Sequence, residues 1–475
     1  MEFTLTDLTH LLPIVIVAAS VLVAMTIDMF TKEADKTLGW FTALSLFAAA
    51  YVSLFFVDKT GVHLSGVVAS GGATNILHFV FTFGAGVVAL ISMEYAKKTE
   101  MRVGEYYVLV LSSVLGMMLI AAAKDLAVIF VGLEQMSISF YALAGIRRKR
   151  DKSVEASLKY FLLGAFATGF VVYGMALIYG SSGTMALDTI RYAFPDLVSQ
   201  PLFVLGLALF VIGFAFKIAA VPFHMWAPDV YQGSPTPVAG LMSTVGKAAA
   251  FAALLLIFRP VFDGAENALF PFLAIVATLS MLYGAIVAIA QDDLKRMLAY
   301  SSVAHAGYML IGFASGEATG AAGVIYYLVA YAFMNLGAFG IIAMIESAEE
   351  TNLKVQDYAG LGTRAPALAA LLSLFMFALS GIPPLAGFFG KYYVFIAAVE
   401  GGATWLALVG VASSAISVYF YLRVVVVMYF GKSENRMEYS VSNVSLLGVT
   451  ISAMLVILLG VLPGSIIKLI ESFVR

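Results

Sequence analysis

The chain contains no cysteine. That excludes a thiolate nucleophile, a disulfide frame and an iron–sulfur cluster held by this chain. Only five histidines occur in 475 residues, His10, His63, His78, His224 and His305. They are a thin supply for haem, and no cluster has metal-ligand spacing. Charge is equally scarce. Asp, Glu, Lys and Arg make up 12% of the chain, where a soluble domain carries roughly 25%. A water-soluble globular enzyme is thereby excluded. Lys and Arg number 27 against 29 Asp and Glu, which leaves no basic surplus for nucleic acid. Neither GxGxxG nor GxxxxGK followed by Ser or Thr is found, so NAD, flavin and ATP have no recognisable site. The opening MEFTLTDLTHLLPIV has acids but no basic residue before its first apolar run. It does not read as a cleaved signal or transit peptide, and the first span is expected to be retained.

What the chain does have is apolar length. Hydrophobic residues make up 61% and the mean hydropathy is +0.96. Fourteen apolar runs read as membrane spans: 8–30, 38–57, 75–96, 104–123, 125–146, 154–179, 201–222, 236–258, 269–290, 294–313, 320–346, 365–399, 403–430 and 443–466. No loop between them is long enough for a soluble domain. The loops 31–37, 97–103, 147–153, 291–296, 347–364 and 431–442 hold sixteen Lys and Arg, against six on the other side. The positive-inside rule places the richer side in the cytoplasm and both termini outside. The fold expected is an all-α polytopic membrane protein.

Five basic residues and one acid lie inside the runs: Lys159, Lys217, Lys247, Lys391, Arg423 and Glu134. Arg423 is near a cytoplasmic end and can snorkel. Each of the others costs about 3 kcal/mol at the membrane centre, on the order of 15 together. Such residues persist where they pair, neutralise or line a wet path. Burial disfavours the charged form of either type and so moves proton exchange toward neutral pH, which a proton relay requires. Glu134 lies thirteen residues from Arg147, roughly 20 Å along a helix, so it reads as a relay acid or as a pin between helices. Lys217 precedes Pro222, which removes a backbone donor and interrupts the run. His224, seven residues on, reads as a sharer of its face or as an interfacial loop residue. Lys247 has Ser243 and Thr244 at i−4 and i−3, one polar stripe on an apolar helix. The run 365–399 is too long for one span and too short for two. Gly381, Pro383 and Pro384 sit at its centre, so a discontinuous helix is expected, with Lys391 on its second half. Lys159 has Glu155 at i−4 and reads as a relay residue or as half of a helix pair. His305, flanked by Ser301, Ser302 and Tyr308, reads as part of a water path or as a helix–helix hydrogen bond.

An internal repeat is suggested by laying 125–173 on 292–340. Asp125/Asp292, Tyr141/Tyr308, Leu143/Leu310, Gly145/Gly312, Tyr160/Tyr327, Ala165/Ala332 and Phe166/Phe333 coincide. The breaks in runs seven and twelve also recur five spans apart. Five is odd, so the copies are inverted, the sequence mark of ion-translocating membrane proteins. The expected units are 1–103 with three spans, 104–258 and 259–430 as the two copies, spans 4–8 and 9–13, which the resemblance given next implies are inverted five-helix bundles, and 431–475 with the last span.

KIAAVPFHMWAPDVYQGSPTPVAGLMSTVGKAAAF, LKRMLAYSSVAHAGYMLIG and GIPPLAGFFGKYYVF resemble the antiporter-like membrane subunits of respiratory complex I, the NADH-quinone oxidoreductase. The resemblance covers spans four to thirteen. PDVYQGSP and the lysine at 247 favour the N type, the mitochondrial subunit 2 type, over its L and M sisters. The resemblance implies proton translocation along a central line of Glu134, Lys217, Lys247, His305 and Lys391, with Glu134 paired to Lys217 and Lys159 matching a family lysine. It implies no cofactor in this chain, with NADH, FMN, iron–sulfur clusters and quinone on other subunits. It implies an M-type and small membrane subunits as partners, and the bacterial inner membrane as location. A subunit of a multi-subunit Mrp-type cation/proton antiporter and a scaffold that moves nothing are the alternatives.

Overall fold

The structure is a computed structural model that describes residues 5–31, 35–255, 266–314, 318–349, 351–432 and 441–474. Lys32, Arg259, Arg436 and Arg475 of the charge count, and the end of the run 236–258, lie outside the described residues. The helices are α1 (Leu5–His10), α2 (Leu12–Phe30), α3 (Asp35–Phe55), α4 (Gly72–Lys98), α5 (Val103–Ala122), α6 (Leu126–Ala144), α7 (Asp151–Ser182), α8 (Leu187–Leu197), α9 (Pro201–Lys217), α10 (Trp226–Gly233), α11 (Thr236–Leu241) and α12 (Lys247–Ala253). They continue with α13 (Glu266–Ile289), α14 (Leu294–Ala314), α15 (Ala318–Ile345), α16 (Leu361–Arg364), α17 (Pro366–Ser380), α18 (Ala386–Glu400), α19 (Thr404–Phe430), α20 (Asn443–Val461) and α21 (Pro463–Val474).

Among the described residues, ten helices are long and apolar enough to cross a membrane. The chain is an integral membrane protein of all-α type. The ten differ from the fourteen apolar runs for physical reasons. Proline and glycine cut α9, α17 and α18 short, and a π turn at Met242–Gly246 separates α11 from α12. Lys295, Arg296 and a serine pair lower the apolarity of α14. Helix α15 is buried along its whole apolar stretch. Packed against it are α4, α11, α14, α17, α18 and α20, so it is the pillar of the core.

Three elements escape a reading by apolar runs. A short hairpin, β1 (Gly61–His63) with β2 (Val68–Ser70), pairs antiparallel. Helix α8 is amphipathic and buries Leu187, Ile190, Phe194 and Leu197. The last run stops at Val461, and Pro463 begins the separate helix α21. The hairpin is tied to α1 by His63, whose Nδ1 lies 2.7 Å from Asp7 Oδ1 and whose Nε2 lies 2.8 Å from Ser70 Oγ. This line of Ser, His and Asp is a fastening and not a hydrolytic centre. Ser70 is buried, and the N–H that follows it, on Gly71, is taken by Asn75 Oδ1, so that N–H is not free for an oxyanion.

Two backbone bridges are alike. Leu126 donates to the Met185 carbonyl and Leu187 to that of Lys124; Leu294 donates to Leu353 and Val355 to Asp292. Adding 168 carries the first set onto the second. Asp125 and Asp293 also play one part, each accepting a backbone N–H at the helix start, from Ala127 and Arg296. Here the equivalence runs Asp125 to Asp293, one residue from the register suggested by Tyr141 and Tyr308.

Helices α7 and α9 meet through glycines. A Cβ on Gly174 would lie 2.6 Å from the Gly206 carbonyl, and one on Gly206 would lie 2.9 Å from that of Gly174. Small residues let membrane helices approach this closely. Gly174→Val therefore forces the pair apart. We expect a loss of about 1–3 kcal/mol, as for other overpacked cores, read as a lowered melting temperature in detergent. Gly180→Val, where a Cβ meets nothing within 4 Å, is the control that stays at the wild-type value.

Candidate functional site

Helix α9 ends at Lys217, and the chain unwinds through Pro222 before α10. Helix α17 ends at Ser380, and the chain unwinds through Pro383 and Pro384 before α18. Both breaks contain a cis X–Pro peptide, Val221–Pro222 and Pro383–Pro384. Unwound backbone at membrane depth must find partners inside the protein. At the first break, Val221 N–H donates to Ser280 Oγ and Trp226 Nε1 to the Phe216 carbonyl, at 2.9 and 3.0 Å. At the second, the carbonyls of Leu379 and Ser380 accept the Lys391 ammonium, at 3.3 and 2.9 Å, and Ser414 Oγ accepts it at 2.8 Å. Gly381 caps α17 in the left-handed region, φ 88°, and a Cβ there would crowd Lys391 Nζ at 3.2 Å. Glycine thus turns the chain and leaves room for the ammonium.

Lys217, Lys247 and Lys391 are all buried. Lys217 Nζ donates to Ser137 Oγ at 2.7 Å and lies 3.5 Å from the Tyr141 hydroxyl. Glu134, Ser137 and Tyr141 stand at i, i+3 and i+7, one face of α6. Glu134 Oε1 accepts from Thr168 Oγ1 at 2.9 Å. Among the described residues no direct ion pair joins Glu134 to Lys217. The pairing implied by the resemblance is therefore absent as a contact; Ser137 stands at the lysine and Thr168 at the acid.

Lys247 Nζ donates to the carbonyl and hydroxyl of Ser302, at 2.7 and 3.0 Å. Ser243 and Thr244 do not form one stripe with it. The π turn intervenes, and Ser243 Oγ accepts from Asn335 Nδ2 at 3.0 Å while Thr244 bonds the Gly240 carbonyl. His305 is fully enclosed by hydroxyls. Its Nδ1 lies 2.8 Å from the Tyr327 hydroxyl and its Nε2 3.0 Å from that of Tyr421. Tyr421 also shares a hydrogen with Ser301. Tyr308 bonds Ser413 at 3.0 Å, and its ring faces Lys391 Nζ at 5.0 Å. A polar seam of Ser, Tyr and His thus runs through an apolar core from Lys247 to Lys391.

Glu134 and Lys217, with Ser137, Tyr141 and Thr168, form a second polar cluster, and two expected members stand outside both. Lys159 is partly exposed and pairs with Glu155 at 2.8 Å and Asp229 at 2.7 Å. Asp229 also binds Arg296 at 2.6 Å, so Lys159 belongs to a helix-end ion cluster. His224 does not share a face with Lys217, because α9 ends first. Its ring packs edge-on against Tyr283, 4.7 Å between centroids. Sequence reasoning places Ser302 only beside His305 and Tyr327 only in the repeat, and it misses Ser137, Asn335, Tyr421 and Asp229. Asp229 sits inside the quoted PDVYQGSP, but the others are single polar residues without a motif. Among the described residues no group of three His, Asp or Glu side chains is arranged to hold a metal.

Helices interrupted at two proline-bearing breaks, with lysines at or beside them, define the antiporter-like membrane subunits as the class of this fold. A chain of the Mrp complex from a Dietzia species superposes with a TM-score of 0.89, covering 98% of this chain and 97% of that one at 20% identity. The chain belongs to the NADH:quinone oxidoreductase/Mrp antiporter transmembrane family, whose model matches residues 123–417. It is 43% identical over 477 aligned residues to a protein of Trichlorobacter lovleyi named NADH-quinone oxidoreductase subunit N, covering 100% of this chain and 98% of the relative. A chain of respiratory complex I from Thermus thermophilus is 33% identical, with a TM-score of 0.82, over 96% of this chain and 98% of that one.

Proposed function

We propose that this chain is a proton-translocating, antiporter-like subunit of N type in an NADH-quinone oxidoreductase, coupling quinone reduction elsewhere in the complex to proton movement. The observation that carries the reading is the buried polar seam. Lys217, Lys247 and Lys391 are all buried, and hydroxyls, joined by carbonyls at Lys247 and Lys391, hold each ammonium. Intramembrane charges in such settings are functional by default. In this reading Glu134, Lys217, Lys247, His305 and Lys391 carry the proton, while Lys159 and His224 flank the path. Fourteen spans cross the membrane, counting the interrupted helices and α14. Spans 4–8 and 9–13 are inverted repeats within 104–258 and 259–430; units 1–103 and 431–475 flank them. The matched backbone bridges at the starts of α6 and α14 support that symmetry. The location is the bacterial inner membrane with both termini outside, and the partners are an M-type subunit and small membrane subunits. The subunit has no redox role, and NADH, FMN, iron–sulfur clusters and quinone reside on its partners.

The test is co-purification in mild detergent, followed by assay of the complex and of the separated chain. The partners should include the redox subunits of an NADH-quinone oxidoreductase. The separated chain should oxidise no NADH and reduce no quinone. Turnover in the lone chain, or partners that form a cation/proton antiporter without redox subunits, would overturn the reading.

A further inference from the structure

A second polar feature lies far from the seam. The C-terminal ends of α4, α6 and α15 and the N-terminal ends of α5 and α7 frame a cleft of about 430 Å³. That is more room than a single small ion fills. Six cations line it, Lys98, Arg102, Arg147, Arg148, Lys149 and Arg150, against two carboxylates, Glu100 and Glu349. Glu105, just outside, binds Arg102 and Arg148 at 2.9 Å each, and Lys98 is held by the Ala343 and Glu346 carbonyls with the Glu94 and Glu346 carboxylates near it, so a small positive excess remains. Arg147 and Arg150 are braced by the Ala348 carbonyl, both at 2.8 Å, which fixes the wall of the cleft. Lys149 is exposed and has no ion pair or hydrogen bond among the described residues.

We propose that this cleft holds the phosphate-bearing head of an anionic phospholipid. Three observations meet here. The cations converge on a cavity and are not spread over a surface. The cavity stands where membrane-crossing helices end, the depth of lipid headgroups, and basic pockets between helices at that depth take acidic heads. Two of the framing helices, on the outer side of the cleft, carry exposed apolar side chains, Ile138 on α6 and Val154 and Leu158 on α7, a surface for acyl chains beside the head. A soluble phosphate would gain nothing from that surface.

The test uses the intact membrane complex, stripped of loosely bound lipid and placed in phosphatidylcholine vesicles. Phosphatidylglycerol is titrated in, and retained lipid is counted by native mass spectrometry. The double variant Arg148→Gln, Lys149→Gln spares the arginines that brace Ala348. Each cation near an acidic head is worth about fivefold in affinity, so the pair should lose about 25-fold for phosphatidylglycerol with phosphatidylcholine unchanged. Lys149→Arg should keep the affinity and thereby show that charge is the cause. Equal retention by wild type and double variant overturns the proposal. So does loss of the lipid on adding millimolar inorganic phosphate at constant ionic strength, which would make the cleft a site for free anions. Cross-linking of Lys149 to a neighbouring subunit in the complex would also overturn it.

Discussion

Lys247→Ala is expected to lower proton translocation by at least tenfold while the amount of assembled complex stays near normal. The ammonium of Lys247 spends its donors on the carbonyl and hydroxyl of Ser302. When it is removed, the Ser302 hydroxyl keeps its bond to the Ala299 carbonyl at 2.8 Å. No buried donor is orphaned, so assembly survives while the one exchangeable proton of this helix is lost. Lys247→Arg should not rescue. Its guanidinium stays charged at any working pH, and the site is fully enclosed. Proton uptake and quinone reductase rate in vesicles, both normalised to assembled complex, read the outcome. Wild-type uptake in the alanine variant would remove Lys247 from the path.

Glu134→Gln is expected to reduce translocation about tenfold, also at normal assembly. Glutamine keeps the shape, and its carbonyl still accepts from Thr168. Lys217 keeps Ser137. What disappears is one negative charge about one helical turn from an ammonium, on the order of 2 kcal/mol at intermediate dielectric. Thr168→Val keeps the charge and removes its anchor, so it should cost less than Glu134→Gln. If the glutamine variant pumps normally and Thr168→Val destabilises the complex, Glu134 is a pin between α6 and α7 and the charge has no part in coupling.

The large outlines of this architecture were legible in the chain because they rest on scarcity. Few charges and long apolar runs leave only membrane helices. Prolines at 222, 383 and 384 mark two breaks, and the structure has both, whereas Pro271 sits inside α13 without ending it. Lysine in hydrocarbon is conspicuous for the same reason, so Lys217, Lys247 and Lys391 could be picked out one by one. Their partners could not. Ser137, Ser302 and Tyr421 look like any small or aromatic membrane residue until a neighbouring helix is placed beside them. The pairing of Glu134 with Lys217 was plausible from family likeness, but direct contact depends on side-chain reach, which a sequence does not contain. Lys159 and His224 show the converse. One is a charge near a helix end with two acids in reach, and the other lies past the point where its helix stops. For each the sequence offers the plainer reading too, a helix pair with Glu155 and a loop position past Pro222; what it does not offer is Asp229 as a second acid.

The π turn at Met242–Gly246 makes the rod from Thr236 to Ala253 continuous in length but not in phase. In an unbroken α-helix, Ser243 and Lys247 would stand one above the other and address a single neighbour. Here Ser243 answers α15 through Asn335, whereas Lys247 answers α14 through Ser302. The wide turn acts as a one-residue gear tooth, since each residue turns an α-helix by about 100°. The aim of the lysine is thus stored in backbone winding, upstream of the side chain itself. A rod with that tooth removed would keep every residue of the seam and still point its ammonium elsewhere.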